Sequence, residues 1–199
     1  MPSLIDDVIG PGGLGGREQP ELPAGGGLLL RPWRTEDAPA VHRAFQDPLL
    51  ERWHARSCRS IAEAAEWIGQ WQAAWPGEQD AFWAVAEADS GALRGRVALR
   101  GIRPEDGIAE VAYWTVPEAR GTGVAPRAVR ALACWALDEV GFHRLELTHA
   151  TGNASSCRVA GKCGFALEGV QRSAALHADG WHDTHLHARI STDPAPPAE

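Results

Sequence analysis

The sequence predicts an α/β domain: one mixed, mostly antiparallel sheet of six to seven strands, flanked by helices. Two observations carry that expectation. The apolar pattern reads β-α-α-β-β-β-α-β-α-β-β along the chain, and antiparallel strands followed by two strand-helix crossovers give a mixed sheet with helices on both faces. The chain has 199 residues, 44% of them hydrophobic, and no internal repeat, which is enough for one ordinary domain.

Each element has a local reason. Eleven of the eighteen residues from Gly10 to Gly27 are Gly or Pro, so residues 1–27 are expected to be a leader that is flexible or merely draped on the domain. Residues 28–33 suit a first strand ended by Pro32, and Thr35 with Asp37 can cap a helix through Val41 and Phe45. Ser60 and Glu63 have capping-box spacing before a helix carrying Ile61, Ala64, Trp67, Ile68, Trp71 and Trp75. Residues 81–88 and 93–102 read as strands joined at Asp89-Ser90-Gly91. A fourth strand spans 108–116, and an amphipathic helix spans 126–140 with Pro126 in its first turn. Residues 144–149 give a fifth strand and 155–163 a short helix closed by Gly164. A last hairpin, 165–177 with 181–190, turns at Ala178-Asp179-Gly180. The folded domain is then 28–192, followed by a flexible Pro-rich tail, 193–199.

Composition excludes several roles. The net charge is −7 with pI about 5.6, so a broad basic surface for nucleic acid is not expected. Eighteen arginines stand against one lysine, Lys162. Cys58, Cys134, Cys157 and Cys163 have no regular spacing and read as reduced thiols. No signal-like or membrane-length apolar run is present, so a cytoplasmic protein is expected. The charge is also uneven. Residues 120–172 sum to +3 and residues 31–118 to −4, a basic half suited to an anion beside an acidic half compatible with a cationic amine.

The chemistry centres on Pro117-Glu118-Ala119-Arg120-Gly121-Thr122-Gly123-Val124-Ala125, which leads from the fourth strand into a helix. Two glycines admit close backbone approach, free N–H groups at a helix start cradle anions, and Arg120 and Arg127 add charge. A dinucleotide fold would place a further glycine near Pro126, and a nucleotidase loop would end in Gly-Lys-Ser/Thr. A plain Gly-rich turn before a helix remains the bland alternative.

Taken together, three ordered blocks resemble the GNAT superfamily of N-acetyltransferases. Arg120-Gly121-Thr122-Gly123-Val124-Ala125 is similar to its acyl-CoA signature, and Glu110-Val111-Ala112-Tyr113-Trp114 to its fourth strand. Asn153 to Phe165 followed by Glu168-Gly169, with Asp179-Gly180-Trp181-His182-Asp183, resembles the ribosomal-protein-alanine and small-amine branch. The resemblance implies a sheet splayed between the fourth and fifth strands. It implies that Trp114, Thr115 and Val116 pair with pantetheine, and that Arg120, Gly121, Thr122, Gly123, Val124 and Ala125 hold the phosphates. Asn153 would hold the arm near the thioester, Ser156 would lie beside the sulfur, and Lys162 or Arg158 would meet the adenosine end. That branch has an acidic residue where this chain has Ala174-Ala175.

Direct attack of an amine on the acetyl carbonyl needs a base, an oxyanion donor and an acid. A backbone N–H near Val116 is the candidate oxyanion donor. The single tyrosine, Tyr113, lies on the strand, so Ser156 is the candidate acid. Glu110 is the candidate base, and His149 its rival near the substrate. Trp53 is the candidate wall of the acceptor pocket, while Trp67, Trp71 and Trp75 read first as core. His182, His185 and His187 with Asp183 lack a second ligand pair in the sequence, so no metal is expected.

The expected activity is therefore acetyl-CoA-dependent N-acetylation of a primary amine, on a small molecule or a peptide or protein α-amine. The alternative is a non-catalytic acyl-CoA-binding regulatory module on the same fold. Acetyl-CoA and an amine acceptor are the expected partners, with neither nucleic acid nor membrane. Monomer and homodimer are both left open.

Overall fold

The computed structural model describes residues 4, 6–54 and 56–196. Its strands are β1 (Leu22–Gly25), β2 (Leu28–Arg31), β3 (Ala81–Glu87), β4 (Leu93–Arg103), β5 (Ile108–Thr115), β6 (Arg144–Ala150), β7 (Ala166–His177) and β8 (Gly180–Ile190). They form one sheet in the order β1-β2-β3-β4-β5-β6-β8-β7. All neighbours are antiparallel except β5 and β6. The expected strands are all present, and β1 adds an eighth, cut from the segment expected to be a leader.

The helices are α1 (Ala38–Ala44), α2 (Pro48–His54), α3 (Ile61–Ala74), α4 (Val124–Cys134, continued by a wider turn to Val140) and α5 (Ala154–Lys162). Helix α3 begins as expected, with the Ser60 side chain accepting from the Glu63 amide. Helix α2 was not anticipated as a separate element. Pro48 opens it, and the Asp47 carboxylate accepts from the amides of Leu49 and Leu50 at 3.0 and 3.1 Å, so proline and cap together restart the chain as a helix.

Period-two alternation assigns the faces of the sheet. On β5, Trp114 packs against Trp33 and Phe45 on the side of α1 and α3, whereas Tyr113 reaches Ser156 of α5 on the other. Trp83, Leu99, Leu132 and Leu145 are fully buried. Trp75, Trp83 and Trp135 meet ring to ring, with centroids 5.4–6.4 Å apart.

Of the two arrangements expected for the Gly/Pro-rich leader, its described residues are draped on the domain; residues 1–3 and 5 lie outside the described residues. Ile9 and Leu14 are buried at 4% and 1% exposure. Glu78, in the left-handed region at φ 53°, accepts from the amides of Gly12, Leu14 and Gly15. The indole N–H groups of Trp75 and Trp83 donate to the carbonyls of Arg17 and Pro20. Two apolar anchors and long-range polar bonds offset the chain entropy that composition alone argued could not be repaid. Of the expected tail, residues 197–199 lie outside the described residues.

Candidate active site

The parallel pairing of β5 with β6 covers just three positions, Ile108 with Arg144, Ala109 with Leu145 and Glu110 with Glu146. Beyond Glu110 the strands part, β5 running on to Thr115 and β6 to Ala150. This is the expected splay between the fourth and fifth predicted strands. It opens a groove of about 430 Å³.

One wall of the groove is the loop into α4. Gly121 and Gly123 stand at φ 77° and 83°, left-handed conformations that favour glycine. A Cβ on Gly123 would come within 3.2 Å of the Arg127 guanidinium, while one on Gly121 would meet open space. The first amides of α4 have no intrahelical acceptor, and those of residues 121–125 find no backbone acceptor among the described residues. They are free to meet an anion. Arg120, Gly121, Gly123, Val124 and Ala125 line the groove; Thr122 does not, its hydroxyl donating to the Ala119 carbonyl at 2.8 Å. The Arg120 side chain makes a two-pronged ion pair with Asp47 at 2.7 and 3.2 Å. That guanidinium, whose charge was expected to serve the phosphates, ties the loop to the start of α2. The same contact holds the Asp47 carboxyl below its usual range.

The opposite wall is α5. The Asn153 side chain caps the helix, accepting from the Ser156 amide at 3.2 Å, and Asn153, Ser156, Arg158 and Lys162 all line the groove. Arg130 donates to the Lys162 carbonyl at 3.0 Å. The Tyr113 hydroxyl donates to Ser156 Oγ at 3.0 Å, and burial pushes the phenol up to about 12. The strand tyrosine, set aside in the sequence because it was not on the helix, thus reaches the helix by its side-chain length.

Trp114 and Thr115 line the groove, but Val116 does not. The Val116 amide donates to the Arg94 carbonyl at 3.0 Å, so it faces β4 and is not free for an oxyanion. Alternation turns the backbone groups of Tyr113 and Thr115 the other way, toward the opening left by β6.

Glu110 occupies the last paired position, at the fork, and the Thr148 hydroxyl donates to its carboxylate. By alternation it shares the face of Trp114, toward α1 and α3. His149 faces the other way. It is buried at 9% exposure, with Nε2 3.2 Å from His187 Nε2, and does not line the groove. Burial first, then the neighbouring histidines, lowers its pKa.

A second cavity, of about 280 Å³, adjoins the groove at His54, which borders both. Trp53 lines the groove, while Trp67 and Trp71 line the second cavity beside Phe45 and Phe82. Part of the tryptophan stripe is therefore pocket wall as well as core. Arg96 lies 5.2 and 5.4 Å over the rings of Trp71 and Phe82, with Arg56 and Arg100 nearby. Arg96 has no ion pair among the described residues, and its Nε is buried without a partner. Burial, then the like charges of Arg100 and Arg56, disfavour its charged form. Burial followed by Arg96 and Arg100 pushes His54 down to about 3. Residues 31–118, acidic in total, are locally basic here.

Comparison with known proteins agrees with this geometry. Residues 27–166 match the family described as "Acetyltransferase (GNAT) domain". The chain is 24% identical over 164 residues, 82% of its own length and 93% of the other, to the uncharacterized N-acetyltransferase YoaA of Bacillus subtilis (strain 168). It is 31% identical over 98 residues, 49% of its length and 55% of the other, to the ribosomal-protein-serine acetyltransferase of Escherichia coli (strain K12). Among solved structures, a ribosomal L7/L12 α-N-protein acetyltransferase in complex with coenzyme A superposes with TM-score 0.77 at 20% identity, covering 86% of this chain and 98% of that one. No helix among the described residues is long and apolar enough to cross a membrane.

Proposed function

Since the chain belongs to the GNAT family and is an acetyltransferase, we propose that it moves the acetyl group of acetyl-CoA to a primary amine, on a small molecule or at a peptide or protein α-amine, by direct attack. The observation that carries this proposal is the splayed groove, with unpaired amides along one wall and the Tyr113–Ser156 hydroxyl pair on the other. Acetyl-CoA fits the residues present: an amide cradle at the start of α4 suits a pyrophosphate, and Arg158 with Lys162 borders the same groove. Bound there, it supplies an activated acyl group and a thiol leaving group.

The chain's own residues divide the remaining work. Tyr113 and Thr115 turn backbone groups toward the splay, for the pantetheine arm and the developing oxyanion. Ser156 stands by the sulfur. With Tyr113 donating to it, its own proton is free to point at the departing thiolate. A phenol near 12 stays protonated at neutral pH, so the pair stabilises the thiolate by hydrogen bonding and Tyr113 is not consumed as an acid. Glu110, on the acceptor face, takes the amine proton through water. An α-amine, with pKa near 8 against about 10.4 for a lysine side chain, asks less of that base. The unpaired Arg96 adds a specificity: the acceptor carries a carboxylate or phosphate close to its amine.

The test is release of free thiol from acetyl-CoA by the full chain with a panel of amines, beside thermal shift with CoA. At a hundredfold excess over Kd, CoA should raise Tm by about 5–10 °C, and anionic amines should support thiol release. A Tm rise without thiol release from any amine would instead identify a CoA-binding regulatory module.

A further inference from the structure

Two histidines expected to alternate harmlessly along a hairpin strand acquire partners from elsewhere in the fold. His149 of β6 sits directly opposite His185 of β8, and alternation puts His187 on the same face. Helix α5 lies over that face and brings Cys157. The ligating atoms of His149, Cys157, His185 and His187 all lie within 4.8 Å of one another. The rings of His149 and His187 stack at 5.2 Å, and the His185 ring stands edge-on to both at 5.2 and 5.8 Å.

Hydrogen bonding decides what this cluster can hold. His149 Nδ1 lies 2.9 Å from the Ala150 carbonyl, and His187 Nδ1 lies 3.3 Å from the Phe165 carbonyl. A carbonyl accepts and cannot donate, so in both neutral rings the proton is on Nδ1. Both Nε2 atoms are then bare lone pairs, and they face each other at 3.2 Å. Two acceptors at that distance repel unless a cation lies between them. Two nitrogens bound tetrahedrally at the usual zinc distance would stand about 3.3 Å apart. An Nδ1–H held by a backbone carbonyl is also the outer support that presents Nε2 to a metal. The Nδ1 of His185 is buried with no partner. His149 and His187 are 9% and 3% exposed.

We propose that His149, Cys157, His185 and His187 form a four-coordinate site for zinc. Three imidazoles and a thiolate fill a tetrahedral shell and leave no open position, which makes the site structural. On binding, the Cys157 thiol gives its proton to solvent and forms the metal–sulfur bond. The site pins the first turn of α5 to β6 and β8. Ser156 and Asn153 are thereby held in place from the face opposite Glu110. The proposal does not depend on the reaction assigned to the groove.

The test uses the full chain, stripped with a chelator and titrated with zinc chloride or cobalt chloride alone. One equivalent per chain should bind. The cobalt form should show a thiolate-to-metal charge-transfer band that disappears in Cys157→Ser, a nearly isosteric change at a half-buried position. Zinc at a hundredfold excess over Kd should raise Tm by about 5–10 °C. His187→Gln should weaken binding at least about a hundredfold, since loss of an outer-shell partner alone costs 10–100-fold. His182→Gln, in the separate group of His177, Asp179 and His182 at the hairpin tip, should leave uptake unchanged. No stoichiometric uptake by the wild-type chain would overturn the proposal and leave a shared proton as the cation between the two rings. Uptake lost in His182→Gln, or a charge-transfer band retained in Cys157→Ser, would overturn it equally.

Discussion

The Tyr113 hydroxyl lies 3.0 Å from Ser156 Oγ, joining β5 to α5 across the groove where β5 and β6 part. The serine can satisfy its own lone pair with the phenol and still donate elsewhere. Ser156→Ala is therefore expected to lower kcat by about a hundredfold, the lower end for loss of a positioned proton donor, with KM for acetyl-CoA changed little. Tyr113→Phe removes the support but leaves the donor, so the loss should be nearer tenfold. Because burial holds the phenol near 12, the pH profile of Tyr113→Phe should keep the wild-type shape between pH 6 and 9. A profile that loses its alkaline limb in this variant would make the tyrosine itself the titrating acid.

The cradle at α4 makes a second demand, on backbone geometry. Gly121→Ala and Gly123→Ala each force a left-handed residue with a Cβ, costing roughly 1–2 kcal/mol. Gly123→Ala also presses on the Arg127 guanidinium at 3.2 Å, whereas Gly121→Ala meets open space. Turning one amide away from a phosphate should cost about 1.5–3 kcal/mol of affinity, or tenfold to hundredfold in Kd for CoA. Calorimetric titration reads this directly. Lower Tm with unchanged Kd would remove the amides from the binding site.

Several structural features around the groove were legible in the sequence because their signals are local. A Gly-x-Gly turn into a helix, the Asn153 cap and the Ser60–Glu63 start each depend on neighbours within a few residues. What escaped depends on contacts between distant segments. Nothing near Glu78 announces that its carboxylate gathers amides 63 to 66 residues earlier. Tyr113 looked misplaced because its strand position says nothing of how far its side chain reaches. The Val116 amide looked available until the pairing of β4 assigned it to Arg94. His149 and Cys157, which stand beside His185 and His187, come from β6 and α5, so no spacing within the hairpin could show that grouping.

The Asp47–Arg120 pair joins the loop before α4 to the cap of α2, with side chains 19% and 32% exposed. Asp47→Asn keeps the cap and removes the charge, so it isolates the pair. Partly exposed pairs are worth up to about 1 kcal/mol, and that loss is expected at pH 7. The folded carboxyl is depressed by Arg120. Its stabilisation is therefore fully present above the unfolded value of about 3.9 and is lost as pH falls through the folded one. Wild type and Asp47→Asn should converge in urea midpoint near pH 2 and differ at pH 7. A difference that persists at pH 2 would assign the effect to the cap instead of the charge.

The docked leader is expected to carry stability. Leu14 is buried at 1% exposure, and its own amide donates to Glu78 at 2.8 Å. Leu14→Ala should cost about 2–5 kcal/mol, which for a domain of this size is roughly 5–20 °C in Tm. Removing residues 1–16 should cost at least as much, because Ile9 goes with it. A truncated chain melting within 2 °C of the full chain would show that the draped leader adds no stability.

Acceptor selectivity should rest on Arg96. Its guanidinium is stacked over Trp71 and Phe82, lacks a carboxylate partner among the described residues, and is crowded by Arg56 and Arg100. Arg96 is half-buried and Asp80 in the same cavity supports its charge only in part against Arg100 and Arg56, so a substrate carboxylate or phosphate would favour the charged form further on binding. Arg96→Gln keeps a polar side chain but removes the charge. It should raise KM for an anionic amine by tenfold or more, the scale of a charge-assisted hydrogen bond of about 1.5–3 kcal/mol. It should leave KM for a neutral amine of similar size nearly unchanged, and acetyl-CoA binding as well, since Arg96 borders the second cavity and not the groove. The same substitution should raise the pKa of His54, because one of the cations holding it down is gone, and NMR titration of the imidazole would follow that shift. Equal losses for anionic and neutral amines would reduce Arg96 to a packing role against the two rings.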